Sequence, residues 1–64
     1  MNPKANFIAC AEMAMKGHAQ SSALAAQATT EERRYYWLAQ AKDDEERARF
    51  YLRRAQEFDE LEAA

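Results

Sequence analysis

Ala28-Thr29-Thr30-Glu31-Glu32 interrupts a chain that otherwise reads as helix from one end to the other. Threonine is a poorer helix former than the alanines before it, and its hydroxyl can cap a helix start. Thr29 with Glu32 three residues later has capping-box spacing, and the paired glutamates suit the positive end of a helix dipole. Working back from that break, Asn2-Pro3 opens a first helix, with asparagine as cap and proline at the first helical position. The pattern predicts helix 1 over about residues 3–28, a turn at about 28–30 and helix 2 over about 30–61. A connection this short favours an antiparallel two-helix hairpin, all-α and a single domain over residues 1–64. One long bent helix is the alternative, because the break contains no glycine.

The heptad spacing says which residues face inward. In helix 2, Trp37, Leu38, Ala41, Ala48, Tyr51, Leu52, Ala55 and Phe58 form one stripe, interrupted by Asp44. Helix 1 offers Phe7, Cys10, Ala11, Ala14, Ser21, Ala25 and Ala28 opposite it. Small residues facing small ones let the two backbones approach closely, with large side chains at the margins. Trp37 is expected near the turn, against Ala25 and Ala28. Asp44 is expected at the stripe's edge, or against an arginine or His18 from across an interface.

Helix 1 carries more apolar surface than one hairpin can use. Met13 and Leu24 flank its stripe on one side, Ile8, Met15, Ala19 and Ala26 on the other. An amphipathic helix in a small monomer shows a stripe only a little over about 100° wide. A chain of 64 residues is also near the size at which one core barely offsets the loss of chain entropy. Disulfides and metals are the usual supplements, and a single cysteine and a single histidine supply neither. Self-association remains: a homodimer forming a four-helix bundle, with Ile8, Met13, Met15 and Leu24 in its interface.

Helix 2 has a second face. Tyr36, Ala39, Phe50 and Leu61 fall away from the core stripe, interspersed with Asp43, Arg47, Arg54 and Glu57, and Tyr35 stands beside them. Aromatics with arginine are the composition of protein–protein hot spots, since they desolvate well and lose little rotamer freedom per unit area. Tyr35, Tyr36, Arg47, Phe50 and Arg54 are therefore the candidate partner-binding residues; packing within a dimer interface is the competing account of Tyr36 and Phe50. The run Asp43-Asp44-Glu45-Glu46 followed by Arg47, Arg49, Arg53 and Arg54 supplies helix-supporting pairs such as Glu45–Arg49 and Glu46–Arg49.

Catalytic chemistry is not expected. His18 has no second ligand at metal spacing, and no nucleophile–base pair or phosphate loop can be assembled from these residues. The acidic side chains sit on exposed helices that cannot raise their pKa for acid work. No cofactor, metal or small-molecule substrate is expected. The balance of nine Lys and Arg against eleven Asp and Glu gives no basic footprint for nucleic acid or membrane. Phe7–Cys10 has the look of a lipoprotein cleavage box but follows no apolar run, and a lone Cys10 suits a reducing compartment, so a cytoplasmic protein is expected.

The length, paired helices, tight turn and apolar heptads resemble the Rop-like regulators of plasmid copy number. That resemblance implies a helical dimer that binds paired RNA loops through a basic face of its first helix. Here helix 1 carries only Lys4, Lys16 and His18, so the RNA-binding function does not transfer with the build. Length, acidity and the paired-helix build across the whole chain are also similar to small helical inhibitors made by bacteriophages, of the anti-quorum-sensing and anti-CRISPR kinds. That likeness implies a non-enzymatic protein that binds and inhibits a host protein such as a transcriptional regulator. A Rop-like dimer that binds RNA or DNA through the arginines of helix 2 is the second expectation, and a purely structural oligomerisation segment the third.

Overall fold

A computed structural model describes residues 2–63 and contains two helices, α1 (Pro3–Gln27) and α2 (Glu31–Ala63). Each start is capped from the sequence. Asn2 is extended, and its side-chain oxygen accepts from the backbone N–H groups of Lys4 at 3.1 Å and Ala5 at 3.4 Å, with Pro3 following as the first helical residue. At α2 the cap is Thr30 rather than Thr29: the Arg33 N–H donates to Thr30 Oγ1 at 3.2 Å, and the Arg34 N–H to the Thr30 carbonyl. The third helical position is thus Arg33, and the reciprocal glutamate of a capping box is missing. Glu31 and Glu32 lie in the first turn, where they favour the dipole. Thr29 falls in the turn, α1 ends one residue before the predicted boundary, and α2 starts one residue after it.

The turn needs no glycine because α1 ends by leaving the helical region for an extended one. Ala28 has φ −65° and ψ 136°, and its N–H reaches the Ala25 carbonyl at 3.3 Å. No described residue has a positive φ. The chain then doubles back, and contacts between the helices run in opposite order. Lys4 meets Asp59, Phe7 meets Tyr51 and Phe58, and His18 and Ser21 meet Ala41 and Asp44. This is the antiparallel hairpin, not a bent rod of one helix.

Its seam is made of small side chains. The buried residues are Ala11, Ala14, Ser21 and Ala25 on α1 and Ala41, Ala48 and Ala55 on α2. Trp37, Tyr51, Phe58 and Phe7 are half-buried at its margins, and among the described residues no large side chain is fully buried. Phe7 packs between Tyr51 and Phe58 with ring centroids 6.3 and 5.8 Å away, closing the open end of the hairpin. Lys4 pairs with Asp59 beside it. That hydrogen bond, more than the charges of Asp59 and Glu62, raises the Lys4 pKa above its ordinary 10.5. Leu38 and Leu52 depart from the expected stripe. They are 45% and 48% exposed, because alanines occupy the centre line and push these longer flanking side chains to one side.

The seam also contains a polar insert. The Asp44 carboxylate lies over Gly17, where a Cβ would come within 3.0–3.2 Å of its carboxylate atoms. Ser21 Oγ donates to Asp44 at 3.5 Å, and Arg47 of the same helix approaches it at 3.9 Å. His18 turns instead to the backbone: its Nδ1 lies 2.8 Å from the Ala41 carbonyl oxygen, which requires the proton on Nδ1. Of the groups expected to meet Asp44, an arginine approaches it from its own helix, whereas His18 does not meet it and Ser21 does.

Two stability measurements test this packing. In urea melts, Thr30→Ala should cost about 1 kcal/mol and Thr29→Ala less than about 0.5 kcal/mol; equal losses would contradict the assigned cap. Ala48→Leu should cost about 1–3 kcal/mol, as overpacking does in a tight seam. A stability gain from that leucine would mean that the helices stand further apart.

Candidate functional surface

A hairpin with an alanine seam has two broad sides, each composed of one flank of α1 and one flank of α2. The heptad places Tyr36, Asp43, Phe50 and Glu57 in one row of α2, with Arg47 and Arg54 in the adjoining row. The structure joins part of this set. Arg47, Phe50 and Tyr51 line one shallow depression with Asp43 and Glu46. Arg47 and Tyr51 also line the next depression, with Met13, Cys10 and Asp44. One continuous surface therefore runs from Phe50 across the seam to Met13.

Its aromatic parts are held rigidly. Phe50 meets Tyr51 edge-on, with centroids 5.6 Å apart, and Tyr51 is itself anchored against Phe7. The Arg54 guanidinium lies 5.8 Å from the Phe7 ring centroid and pairs with Glu57 at 3.2 Å. Phe50 remains 57% exposed, and the Arg47 side chain 67%. An aromatic ring fixed at its edge and open on its face is pre-organised for contact, since little rotamer freedom is left to lose.

The other proposed partner-binding residues lie apart from this cluster. Tyr36 shares the row of Phe50 but is two heptads away, roughly 21 Å at the rise of a helix, where it packs edge-on against Trp37 at 4.9 Å. Tyr35 is on the opposite side, in a depression with Glu31, Arg34 and Leu38. The four residues assigned to a dimer interface also divide. Met13 belongs to the Phe50 surface, and Leu24, two heptads beyond Cys10, lies on the same side. Met15 lies on the opposite side, in a groove with His18, Ala48 and Leu52, and Ile8 is one heptad before it.

Sequence reading missed Met13 and Tyr51 as members of the Phe50 surface, having placed one in a dimer contact and the other in the core. The usable signal was the antiparallel register, which brings the residues around 13 alongside those around 50. Among the described residues no cluster of His, Cys, Asp and Glu could hold a metal ion, and no helix is long and apolar enough to cross a membrane. Compared with protein families, with characterised proteins and with solved structures, the chain matches none.

If Phe50 serves contact rather than folding, its removal should leave the hairpin intact. Phe50→Ala is expected to cost less than about 1 kcal/mol in a urea melt, against at least about 2 kcal/mol for Phe7→Ala, which removes the ring between Tyr51 and Phe58. Equal losses would make Phe50 a structural residue.

Proposed function

We propose that this chain is a small non-enzymatic regulatory protein that binds another protein and occludes it, with the surface around Phe50, Arg47, Arg54, Tyr51 and Met13 as its contact. The observation that carries the reading is Phe50 itself: a large aromatic ring more than half exposed, braced by Tyr51 and flanked by arginines. Aromatic rings and arginines recur at the centre of protein interfaces, the rings supplying apolar area and the guanidinium groups directed hydrogen bonds. The partner suggested by the resemblance to phage inhibitors is a host regulator. Tyr36, further along the same row, would extend the contact towards the turn.

The competing use of an arginine-rich helix is nucleic-acid binding. Here Arg49 pairs with Glu45 at 2.7 Å, Arg54 with Glu57, and Arg47 approaches Asp44, so three of the six arginines of α2 are met by its own carboxylates. A phosphate backbone requires an uncompensated basic stripe, and its binding falls steeply with salt.

The test is capture by the immobilised chain from bacterial lysate, followed by titration of the retained protein against the wild type, Phe50→Ala and Arg47→Ala. Each substitution should weaken binding at least about tenfold while leaving the helical circular dichroism unchanged. Partners held equally by both variants, or retention of RNA or DNA at low ionic strength in place of any protein, would overturn the reading.

A further inference from the structure

We infer that the opposite side of the hairpin, carrying Ile8, Met15, Leu38 and Leu52, is covered by a second copy of this chain, so that the working unit is a dimer with its Phe50 surfaces facing outward. This goes beyond the proposed function, which needs no dimer, and it divides between the two sides the four residues that sequence reading placed in one interface.

The area supports a second copy as the occupant. The chain exposes 5294 Å², whereas a compact folded protein of 7.4 kDa exposes about 4,200 Å². The excess, roughly 1,100 Å², is comparable to the about 800 Å² that each partner buries in a standard stable interface. It has a geometric cause. The hairpin extends 51 × 16 × 12 Å, with a radius of gyration of 14.9 Å against about 11 Å for a compact chain of this length. A second rod laid alongside the first removes that excess without any change in the hairpin.

Charge and shape together favour the Met15 side. In a two-fold interface each patch meets its own copy, so a side with unbalanced charge repels itself. On the Met15 side, Arg49 is closed onto Glu45 at 2.7 Å, and Lys4 onto Asp59, within one chain. On the Phe50 side Arg54 is likewise closed onto Glu57 at 3.2 Å, but Arg47 stands two-thirds exposed and reaches only Asp44, at 3.9 Å. The Met15 side also has the better shape. Between its helices runs a groove with Ala48 at the seam, Met15 and Leu52 on its rims and the Glu45–Arg49 pair beside them, and near the turn a second hollow has Ala25, Ala26 and Ala28 on its floor with Leu38 and Arg34 at its edge. Small floors with apolar rims accept side chains from a facing helix as holes accept knobs.

Sedimentation equilibrium of the full chain across the micromolar range tests this. The wild type should show the mass of two chains. Met15→Glu and Leu52→Glu should weaken association at least about tenfold, because each introduces a carboxylate that faces its own copy. Met13→Glu and Phe50→Glu should leave the dimer intact. If a glutamate variant loses its helical signal, Met15→Gln and Leu52→Gln are read in its place. A wild type with the mass of one chain throughout would overturn the inference. So would a dimer that dissociates only with Met13→Glu or Phe50→Glu, or larger assemblies indifferent to Met15→Glu. Partner capture is read separately: Phe50→Ala should lose the partner yet sediment as two chains, whereas capture by a single-chain wild type sinks the dimer and spares the proposed function.

Discussion

Close approach of two backbones along a line of alanines is the constraint on which the rest of this structure depends. Ala11, Ala14 and Ala25 face Ala41, Ala48 and Ala55, and among the described residues only Ser21 joins them in the buried seam. A methyl group contributes little hydrophobic area, so the seam gains its stability from intimate contact over a long interface rather than from large buried side chains. Alanine is also the best helix former and loses no side-chain entropy on burial, which suits a chain too short to offset much ordering cost.

The same seam dictates the surface. Where a leucine seam would draw large side chains inward, alanines leave them at the flanks, and the structure accordingly exposes Met13, Met15, Leu38, Phe50 and Leu52. Aromatic rings close the margins: Phe7 with Tyr51 and Phe58 at the open end, Trp37 near the turn. A surface this rich in apolar side chains follows from how the interior is filled, and it supplies both faces proposed for contact.

At mid-length the apolar pattern gives way to Gly17, His18, Ser21 and Asp44. Gly17 makes room for the Asp44 carboxylate, Ser21 donates to it, and His18 is held by the Ala41 carbonyl. An alanine seam alone would tolerate a shift of one heptad, since alanine recurs every seven residues along α2. The polar contacts form in one alignment only, and a shift would bury the Asp44 carboxylate against apolar neighbours. In this respect they act on specificity more than on stability.

Much of the architecture was legible in the residue order. Asn2-Pro3, the paired threonines and the alanine heptad are local signals, and local signals determine where helices start, where they stop and which stripe is buried. Even so, Thr30 rather than Thr29 caps α2, because the cap is chosen by where the backbone leaves the turn and both threonines offer the same hydroxyl. What remained for the tertiary structure was the pairing of flanks. Wheels drawn for separate helices already place Met13 and Met15 on opposite flanks of α1 and Phe50 on one side of α2, but only the antiparallel register lays the flank of Met13 beside that of Phe50 and the flank of Met15 beside that of Leu52. That register depends on contacts between residues more than twenty positions apart, such as His18 with Ala41 and Ser21 with Asp44. Helical periodicity carries no information about them, because it repeats along one axis and says nothing of the other.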